Sequence, residues 1–201
     1  MDIEFKISKN PINYEKALQL LEKRVSHVKE GGRELVWFLE HPLTYTAGIR
    51  SKNDEILDKT ISIIKTNRGG KITLHSPGQQ IVYFVINLNK RKKDIRNLVR
   101  QIENTIIRFL KIYGIESFAD KKDIGIWVKK RKIAAIGIKV SRWVAYHGFA
   151  INIKNNLDHY KKIVPCGMDN RKITSLKNEK KNFDDVKKNL KNILLEQLEK
   201  V

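Results

Sequence analysis

Apolar residues recur at spacings of three and four in three stretches of the chain, which predicts three amphipathic helices. The first covers about residues 14–29 and ends before Gly31. The second follows a capping residue, Asp94, and ends at Gly114. The third covers about residues 183–199 and is expected to pack back on the body of the protein.

Shorter apolar runs rich in β-branched and aromatic residues predict strands. Residues 35–39 and 81–88 are apolar almost throughout, which is typical of strands covered on both faces. A loop through His41, Pro42 and Gly48 is expected after the first of them. A further strand is predicted at residues 61–66.

The chain then carries three β-prone runs, residues 124–128, 133–140 and 143–153, with short polar turns at 129–131 and 141–142. Such a meander is typical of an antiparallel sheet. Because strands and helices segregate rather than alternate strictly, the predicted fold is α+β. We expect a single domain over residues 1–201, with one mixed, largely antiparallel sheet flanked by helices.

Length and composition limit the class of protein. The chain has 201 residues, 41% of them hydrophobic, which is enough for one sizeable core. It has no run of 18 apolar residues, and its first ten residues mix in charges where a signal peptide would be apolar. We therefore expect a cytoplasmic protein without a membrane span.

The formal net charge of +19 allows two interpretations. Basic residues can be a lysine-rich bias spread over a solvated surface, or they can steer an acidic partner to the protein. The densest basic runs, residues 90–93, 129–132 and 177–181, lack interleaved aromatic residues. This favours an acidic protein over nucleic acid as the partner, and we predict no nucleic-acid binding.

Residues 68–79 (RGGKITLHSPGQ) are the first candidate for chemistry. Two adjacent glycines beside Arg68 expose backbone N–H groups that can hold an anion or a carbonyl oxygen. The segment lacks the spacing of a phosphate-binding Walker loop. A tight turn between strands, with His75 merely hydrogen-bonded, explains the same residues equally well.

Lys132 is the second candidate, because it stands at the mouth of a strand of small residues where a ligand can approach the backbone. A lysine that loses hydration in such a place can take part in proton transfer. The alternative is an ordinary turn lysine within residues 129–132. Lys139 is a rival candidate, but strand alternation beside Ile138 and Val140 favours a solvent-facing side chain.

His147 and Cys166 complete the candidates. His147 interrupts an apolar strand, and a hydrogen-bonded core histidine is its ordinary explanation. Cys166 lies between Pro165 and Gly167, which can present its sulfur at a loop apex, and a thiol is a natural nucleophile for exchanging acyl groups. Taken alone, an inert loop cysteine is its ordinary explanation. The spacing of His75, His147 and Cys166 matches no familiar zinc site, so no metal is predicted.

Several of these segments, taken in order, resemble the lipoyl/octanoyl transferase family. The resemblance covers most of residues 35–175, with one departure at residues 83–85, where the family often has a proline after the tyrosine. Ordered motifs are more specific than any single one. They are EHPLTYTAG at 40–48, RGGKITLH at 68–75, PGQ at 77–79, KIAAIG at 132–137, HGFAIN at 147–152 and PCGM at 165–168.

The resemblance implies a fold similar to the catalytic domains of biotin and lipoate protein ligases, and a cysteine and lysine dyad. Cys166 is then the acyl-thioester nucleophile, and Lys132 lowers its pKa and handles protons. The acyl-substrate pocket is implied to comprise Arg68, Gly69, Gly70, Lys71, Ile72, Thr73, Leu74, His75, Ala135, Ile136, Gly137, Gly148, Phe149 and Ala150.

The implied reaction takes an octanoyl group from octanoyl-acyl carrier protein to a lysine of a lipoyl domain. Expected acceptors are the lipoyl domains of 2-oxoacid dehydrogenases and the glycine-cleavage H protein. No cofactor is expected, and a monomer is expected. Three alternatives stay open: an ATP-dependent lipoate or biotin ligase, which needs a nucleotide site not evident here, a basic nucleic-acid-binding protein, and an inactive scaffold of the same fold. Both dyad positions are intact here, which argues against the scaffold.

Overall fold

The computed structural model describes residues 2–121, 123–164 and 172–201. The strands are β1 (Ile3–Ile7), β2 (Glu34–Leu39), β3 (Thr44–Ala47), β4 (Ile63–Lys65), β5 (Ile72–His75), β6 (Gln79–Asn87), β7 (Phe118–Ala119), β8 (Ile126–Val128), β9 (Arg131–Ser141), β10 (Val144–Asn152) and β11 (Lys172–Ile173). The helices are α1 (Tyr14–Lys29), α2 (Ile95–Ile112), α3 (Leu176–Glu179) and α4 (Val186–Leu198). No helix of these described ranges is long and apolar enough to cross a bilayer.

The described strands form two sheets. The main sheet has the order β1-β2-β6-β10-β9-β8-β7, and β11 pairs with β9 outside this path. Its central pairs are antiparallel, whereas β1 with β2 and β11 with β9 are parallel. A second sheet has the order β4-β3-β5. The architecture is therefore α+β with a mixed, largely antiparallel main sheet.

Helices cover both faces of the main sheet, because side chains of successive strand residues point to opposite faces. On β6, Ile81 and Tyr83 pack in the cluster that contains the buried residues of α1. Their neighbours Val82 and Phe84 pack in the larger cluster formed with α2 and α4. The continuous apolar run on this strand is thus explained by burial on both faces.

Local capping positions the two long helices. The Asn13 side chain accepts a hydrogen bond from the backbone N–H of Lys16 at 3.1 Å at the start of α1. The Asp94 side chain accepts one from Asn97 at 2.9 Å at the start of α2. Each bond satisfies an N–H group that the helix itself leaves without a partner. The predicted cap at Asp94 is confirmed.

The three predicted helices and the meander are confirmed, since β8, β9 and β10 pair antiparallel in succession. The prediction of a plain loop after residue 39 was wrong, because residues 44–47 form β3. The prediction of one sheet missed the second, small sheet. Its strands have only three or four residues each, so they offer little periodicity to read.

The packing of α1 can be tested with two adjacent leucines. Leu21 is fully buried, whereas Leu20 is 46% exposed. Leu21→Ala should lower the free energy of unfolding by about 3 kcal/mol, because it removes core contacts and leaves a cavity. Leu20→Ala should cost less than about 1 kcal/mol. Urea denaturation measures both, and equal losses would contradict the described orientation of α1.

Candidate active site

A cavity of about 190 Å³ lies on the α1 face of the main sheet, beside the small sheet. Strands β9 and β10 form its floor, and β5 with the preceding loop forms one wall. Its lining residues are Tyr14, Arg50, Arg68, Gly69, Gly70, Lys71, Thr73, His75, Ile81, Tyr83, Asp123, Ile124, Lys132, Ala135, Ile136, Gly137, His147, Gly148, Phe149 and Ala150.

Small residues face each other across the floor of the cavity. Ala135 pairs with Ala150, and Gly137 pairs with Gly148, in the antiparallel register of β9 and β10. A Cβ atom on Gly148 would lie 1.9 Å from the carbonyl oxygen of Val82, so only glycine is accommodated there. Because alanine and glycine have little or no side chain, these paired positions leave room above the sheet for a ligand.

Residues 68–71, here called the glycine loop, close over this floor by direct backbone contact. A Cβ atom on Gly69 would lie 3.0 Å from the carbonyl oxygen of Ile138, and one on Gly137 would lie 3.3 Å from that of Gly69. The loop is held from its other side, where the N–H groups of Ile49 and Arg50 donate to Arg68 and Gly70. Larger residues at Gly69 or Gly137 would push the loop off the sheet.

Arg68 is a cation in the cavity wall, only 8% exposed. Its guanidinium donates to Thr46 Oγ1 at 2.8 Å, to the Thr46 carbonyl at 2.9 Å and to the Gly69 carbonyl at 3.0 Å. Its Nε has no hydrogen-bond partner among the described residues. These partners are neutral, so the arginine contributes positive potential to the cavity.

Alternation along β5 divides the predicted pocket residues of that strand. Thr73 and His75 line the cavity. Ile72 and Leu74 do not line it: both are fully buried in a separate cluster with Tyr45 of the small sheet. They therefore support the wall from behind, and the other predicted pocket residues of 68–75, 135–137 and 148–150 border the cavity.

A β-bulge aims Lys132 at the cavity. Ile126 pairs with Ala134 but Trp127 pairs with Lys132, so Ile133 is an extra residue in β9. Ile133 and Ala134 both pack in the larger hydrophobic cluster, which is formed with α2 and α4. Without the extra residue, alternation would send Lys132 into that core, whereas the bulge turns it to the cavity face.

The Lys132 side chain is 4% exposed and is confined by its surroundings. Its Nζ lies 5.6 Å from the ring centroid of Trp127. A Cβ atom on Gly125 would lie 2.4 Å from Lys132 Cε, so the path of the side chain needs glycine there. The ring and the glycine fix where the ammonium group stands.

His147 reaches the cavity through an unusual backbone angle. By alternation it should share the α2 face with its neighbours Ala145 and Phe149. Its φ of 68° instead turns the ring to the cavity face, where it stacks on Tyr146 at 4.9 Å. Its Nε2 is 2.9 Å from Asn67 Oδ1. A positive φ at a residue other than glycine is strained, and such strain clusters at functional sites.

Behind the cavity, aromatic and imidazole rings form a buried polar group. Tyr83 O–H donates to His41 Nε2 at 2.9 Å, since His41 Nδ1–H donates to the Ile12 carbonyl at 2.6 Å. The Tyr14 ring stacks on His75 with centroids 5.6 Å apart. Burial raises the pKa of Tyr14 and raises that of Tyr83 well above its ordinary value. These phenols therefore stay neutral near pH 7.

Sequence reasoning and structure differ over part of the site. Cys166 lies outside the described residues. Lys139 lies 5.8 Å from the ring of Tyr146 and does not line the cavity. The sequence reasoning did not assign to the pocket several residues that line it: Tyr14, Arg50, Ile81, Tyr83, Asp123, Ile124 and His147. Only the interrupted apolar pattern at His147 gave a signal in the sequence.

Most of this chain is similar to known proteins. The family described as lipoyl protein ligase A/B catalytic domain matches residues 13–197. An octanoyltransferase of Anaplasma phagocytophilum (strain HZ) is 44% identical over 184 residues, 88% of this chain and 88% of that protein. An octanoyltransferase of Wolbachia sp. subsp. Brugia malayi (strain TRS) is 42% identical over 181 residues, 87% of this chain and 88% of that protein.

Solved structures show the same fold at lower identity. Lipoate-protein ligase A bound with ATP superposes with a TM-score of 0.78 at 16% identity, over 99% of this chain and 86% of that one. Biotin protein ligase from Aquifex aeolicus, in complex with biotin and ATP, gives a TM-score of 0.56 at 16% identity, over 98% and 69%. The predicted likeness to ligase catalytic domains is confirmed for the fold.

The buried histidines predict that the protein loses stability in mild acid. Burial lowers the pKa of His41 to about 4, and burial with the nearby cations Arg68 and Lys139 lowers that of His147 to about 4. In the unfolded chain these two histidines bind a proton as the pH falls through about 6.5. In the folded protein they stay neutral until the pH approaches about 4. Stability is unaffected by these groups above about pH 6.5 and falls below it, by roughly 2 kcal/mol for each histidine between pH 6.5 and 5.

Urea denaturation at pH 7 and pH 5 measures this loss in the wild type and in two variants. His147→Asn should reduce the difference between the two pH values, because it removes one titrating group. His27→Asn is the control, because His27 is exposed on α1. A pH dependence unchanged in His147→Asn would show that His147 is not held neutral.

Proposed function

Since the chain belongs to the lipoyl protein ligase A/B catalytic domain family, we propose that it transfers an octanoyl group from an acyl carrier protein to a lysine of a lipoyl domain. The enzyme is an acyltransferase, and the reaction is octanoyl transfer in protein lipoylation. The observation that carries the site assignment is a buried lysine, Lys132, aimed by a bulge into a cavity floored with glycine and alanine.

Cys166 is the proposed nucleophile, and the described chain on either side of it supports a pairing with Lys132. Before residues 165–171, the Val164 N–H donates to the Glu55 carbonyl at 2.7 Å, and Glu55 pairs with the cavity residue Lys71 at 2.8 Å. After them, Ile173 of β11 pairs with Lys132 of β9. A cationic lysine beside a thiol favours the thiolate, which is the reactive form.

The reaction then has two half-reactions. The Cys166 thiolate attacks the carbonyl carbon of the octanoyl thioester, the carbon–sulfur bond to the carrier breaks, and the carrier leaves as its own thiolate. We expect backbone N–H groups of the glycine loop and the Arg68 guanidinium to stabilise negative charge on the carbonyl oxygen. An amine of the lipoyl domain next attacks the acyl-enzyme, and a stable amide forms as the cysteine is released. Neither step consumes ATP.

The octanoyl chain is proposed to lie on the floor of the cavity. Ala135, Gly137, Gly148 and Ala150 leave a channel along β9 and β10, and Ile81 of the adjacent strand adds apolar surface. Burial of each methylene group of an acyl chain contributes about 0.8 kcal/mol to binding. Backbone atoms at Ile136 and Phe149 border the same channel, because their side chains pack toward α2.

Intact mass spectrometry after mixing with octanoyl-acyl carrier protein tests the dyad. The wild type should gain one octanoyl group that hydroxylamine removes, and Cys166→Ser should gain none that is labile in this way. Lys132→Met should form the adduct about 100-fold more slowly or worse, because the thiolate loses its cation. Lys139→Met is the matched control on the same strand and should react at the wild-type rate.

Three outcomes would contradict the proposal. An octanoyl adduct on Cys166→Ser that hydroxylamine removes would place the nucleophile elsewhere. Equal rates for the two lysine variants would exclude Lys132. Transfer to a lipoyl domain that requires ATP, with no adduct on the wild type, would support a ligase instead.

The net charge of +19 predicts that salt weakens the reaction with the carrier protein. Acyl carrier proteins are acidic as a class, so attraction between the two surfaces raises the rate of encounter at low ionic strength. Raising the salt about tenfold, from roughly 0.05 to roughly 0.5 M, should lower kcat/KM severalfold. Octanoyl-pantetheine, an uncharged thioester, is the control donor, and an equal salt effect on it would contradict docking by charge.

A further inference from the structure

His75 is a buried, ionisable residue of the cavity that the dyad does not use. It is the last residue of β5, is 7% exposed, and borders the same cavity as Lys132. A second, small void lies between Lys132 and Gln79. Gln79 is also the residue that binds His75, so the two candidate groups share one neighbourhood.

A chain of buried side chains determines which nitrogen of His75 carries the proton. Asn152 Nδ2 donates to the carbonyl of Thr174 at 3.0 Å, which directs Asn152 Oδ1 the other way. Gln79 Nε2 donates to that oxygen at 2.9 Å and to the Leu74 carbonyl at 3.4 Å. Gln79 Oε1 is therefore the acceptor that faces His75 Nδ1, at 2.8 Å.

Because a carbonyl oxygen only accepts, His75 must carry its proton on Nδ1. In the neutral ring, Nε2 then holds a lone pair. No described residue donates a hydrogen bond to that Nε2. The network thus presents a hydrogen-bond acceptor at the edge of a cavity whose other ionisable wall groups include the cations Arg68 and Lys132.

The groups packed around His75 keep it neutral. Burial lowers its pKa well below the ordinary value, and the neighbouring His41, Arg68 and His147 act in the same direction, while the bond to Gln79 opposes them. Tyr14 stacks on the ring as a neutral phenol. His75 is accordingly available as an acceptor at neutral pH.

We propose that His75 Nε2 accepts a hydrogen bond, and then a proton, from the amine that attacks the acyl-enzyme. This inference rests on the proposed function and adds a residue to its second half-reaction. Lys132 is poorly suited to that task while its ammonium group stabilises the departing thiolate, because a protonated amine cannot accept a proton. The cationic Lys132 therefore stabilises the departing thiolate, and the neutral His75 accepts the proton of the amine.

The proposed step replaces one carbon–sulfur bond with one carbon–nitrogen bond. The neutral amine of the acceptor lysine forms a bond to the thioester carbonyl carbon, and the carbon–sulfur bond breaks. The nitrogen gives one proton to His75 Nε2, and the sulfur leaves as a thiolate beside Lys132. The His75 imidazolium then releases its proton to solvent, so that the products are an amide, a thiolate and one proton.

The test isolates the second half-reaction. Octanoyl-enzyme is prepared from octanoyl-acyl carrier protein, freed of donor and mixed with a lipoyl domain over a range of pH. We compare the wild type, His75→Asn, Gln79→Glu and the exposed control His27→Asn. Formation of the acyl-enzyme by each variant shows that its fold and the first half-reaction are intact.

For His75→Asn we expect the transfer rate to fall by about 100-fold or more, and to fall much further than the acylation rate, because only transfer needs a base for the attacking amine. For Gln79→Glu we expect transfer to fail at a higher pH than in the wild type, because a carboxylate beside Nδ1–H favours the imidazolium. We divide the transfer rate of each variant by the wild-type transfer rate at the same pH. This ratio removes the effect of titrating the acceptor lysine, because that effect is the same in both reactions.

Any of three results would overturn the inference. Transfer by His75→Asn at the wild-type rate, or an unchanged pH profile in Gln79→Glu, would show that Nε2 accepts no proton. Equal loss of acylation and transfer in His75→Asn would make the residue part of the cavity wall alone. If the wild type forms no acyl-enzyme at all, the proposed function fails first, and that result is distinct from these three.

Discussion

The register between β9 and β10 is the constraint on which the site depends. It sets alanine opposite alanine and glycine opposite glycine on one face of the sheet. The other face of the same strands packs large side chains such as Ile151 and Phe149 against α2. A shift of one residue would exchange these faces, filling the cavity and emptying the core. The apolar core and the ligand space are therefore specified together.

Two departures from regular strand geometry each supply one ionisable group of the cavity. The extra residue at Ile133 turns Lys132 onto the cavity face, and the positive φ of His147 does the same for the imidazole. In each case the neighbouring strand residues continue to fill the core. Local irregularity thus delivers charge and polarity to the site with little loss of packing in the sheet.

Around this site the buried polar groups are arranged to remain uncharged. His41 and Tyr83 bond to each other, and His75 bonds to an amide that is itself oriented by Asn152. Among the buried residues that line the cavity, positive charge is left to Arg68 and Lys132. In a medium of low polarisability, few charges against a neutral background act strongly on a bound group.

The sequence by itself determined the long elements, because periodicity over 16 to 18 residues, as in α1 and α2, and the apolar run of β6 reflect burial directly. It also indicated that a ligand can approach the glycine loop, Lys132 and the small residues that follow Lys132 in the chain. Only the tertiary structure decided which side chains meet. Ile72 and Leu74 turn behind the wall, Lys132 turns into the cavity, and Tyr14 comes from a helix remote in sequence. The physical reason is that a bulge, a positive φ and the pairing of two sheets depend on long-range contacts, which leave no local period in the sequence.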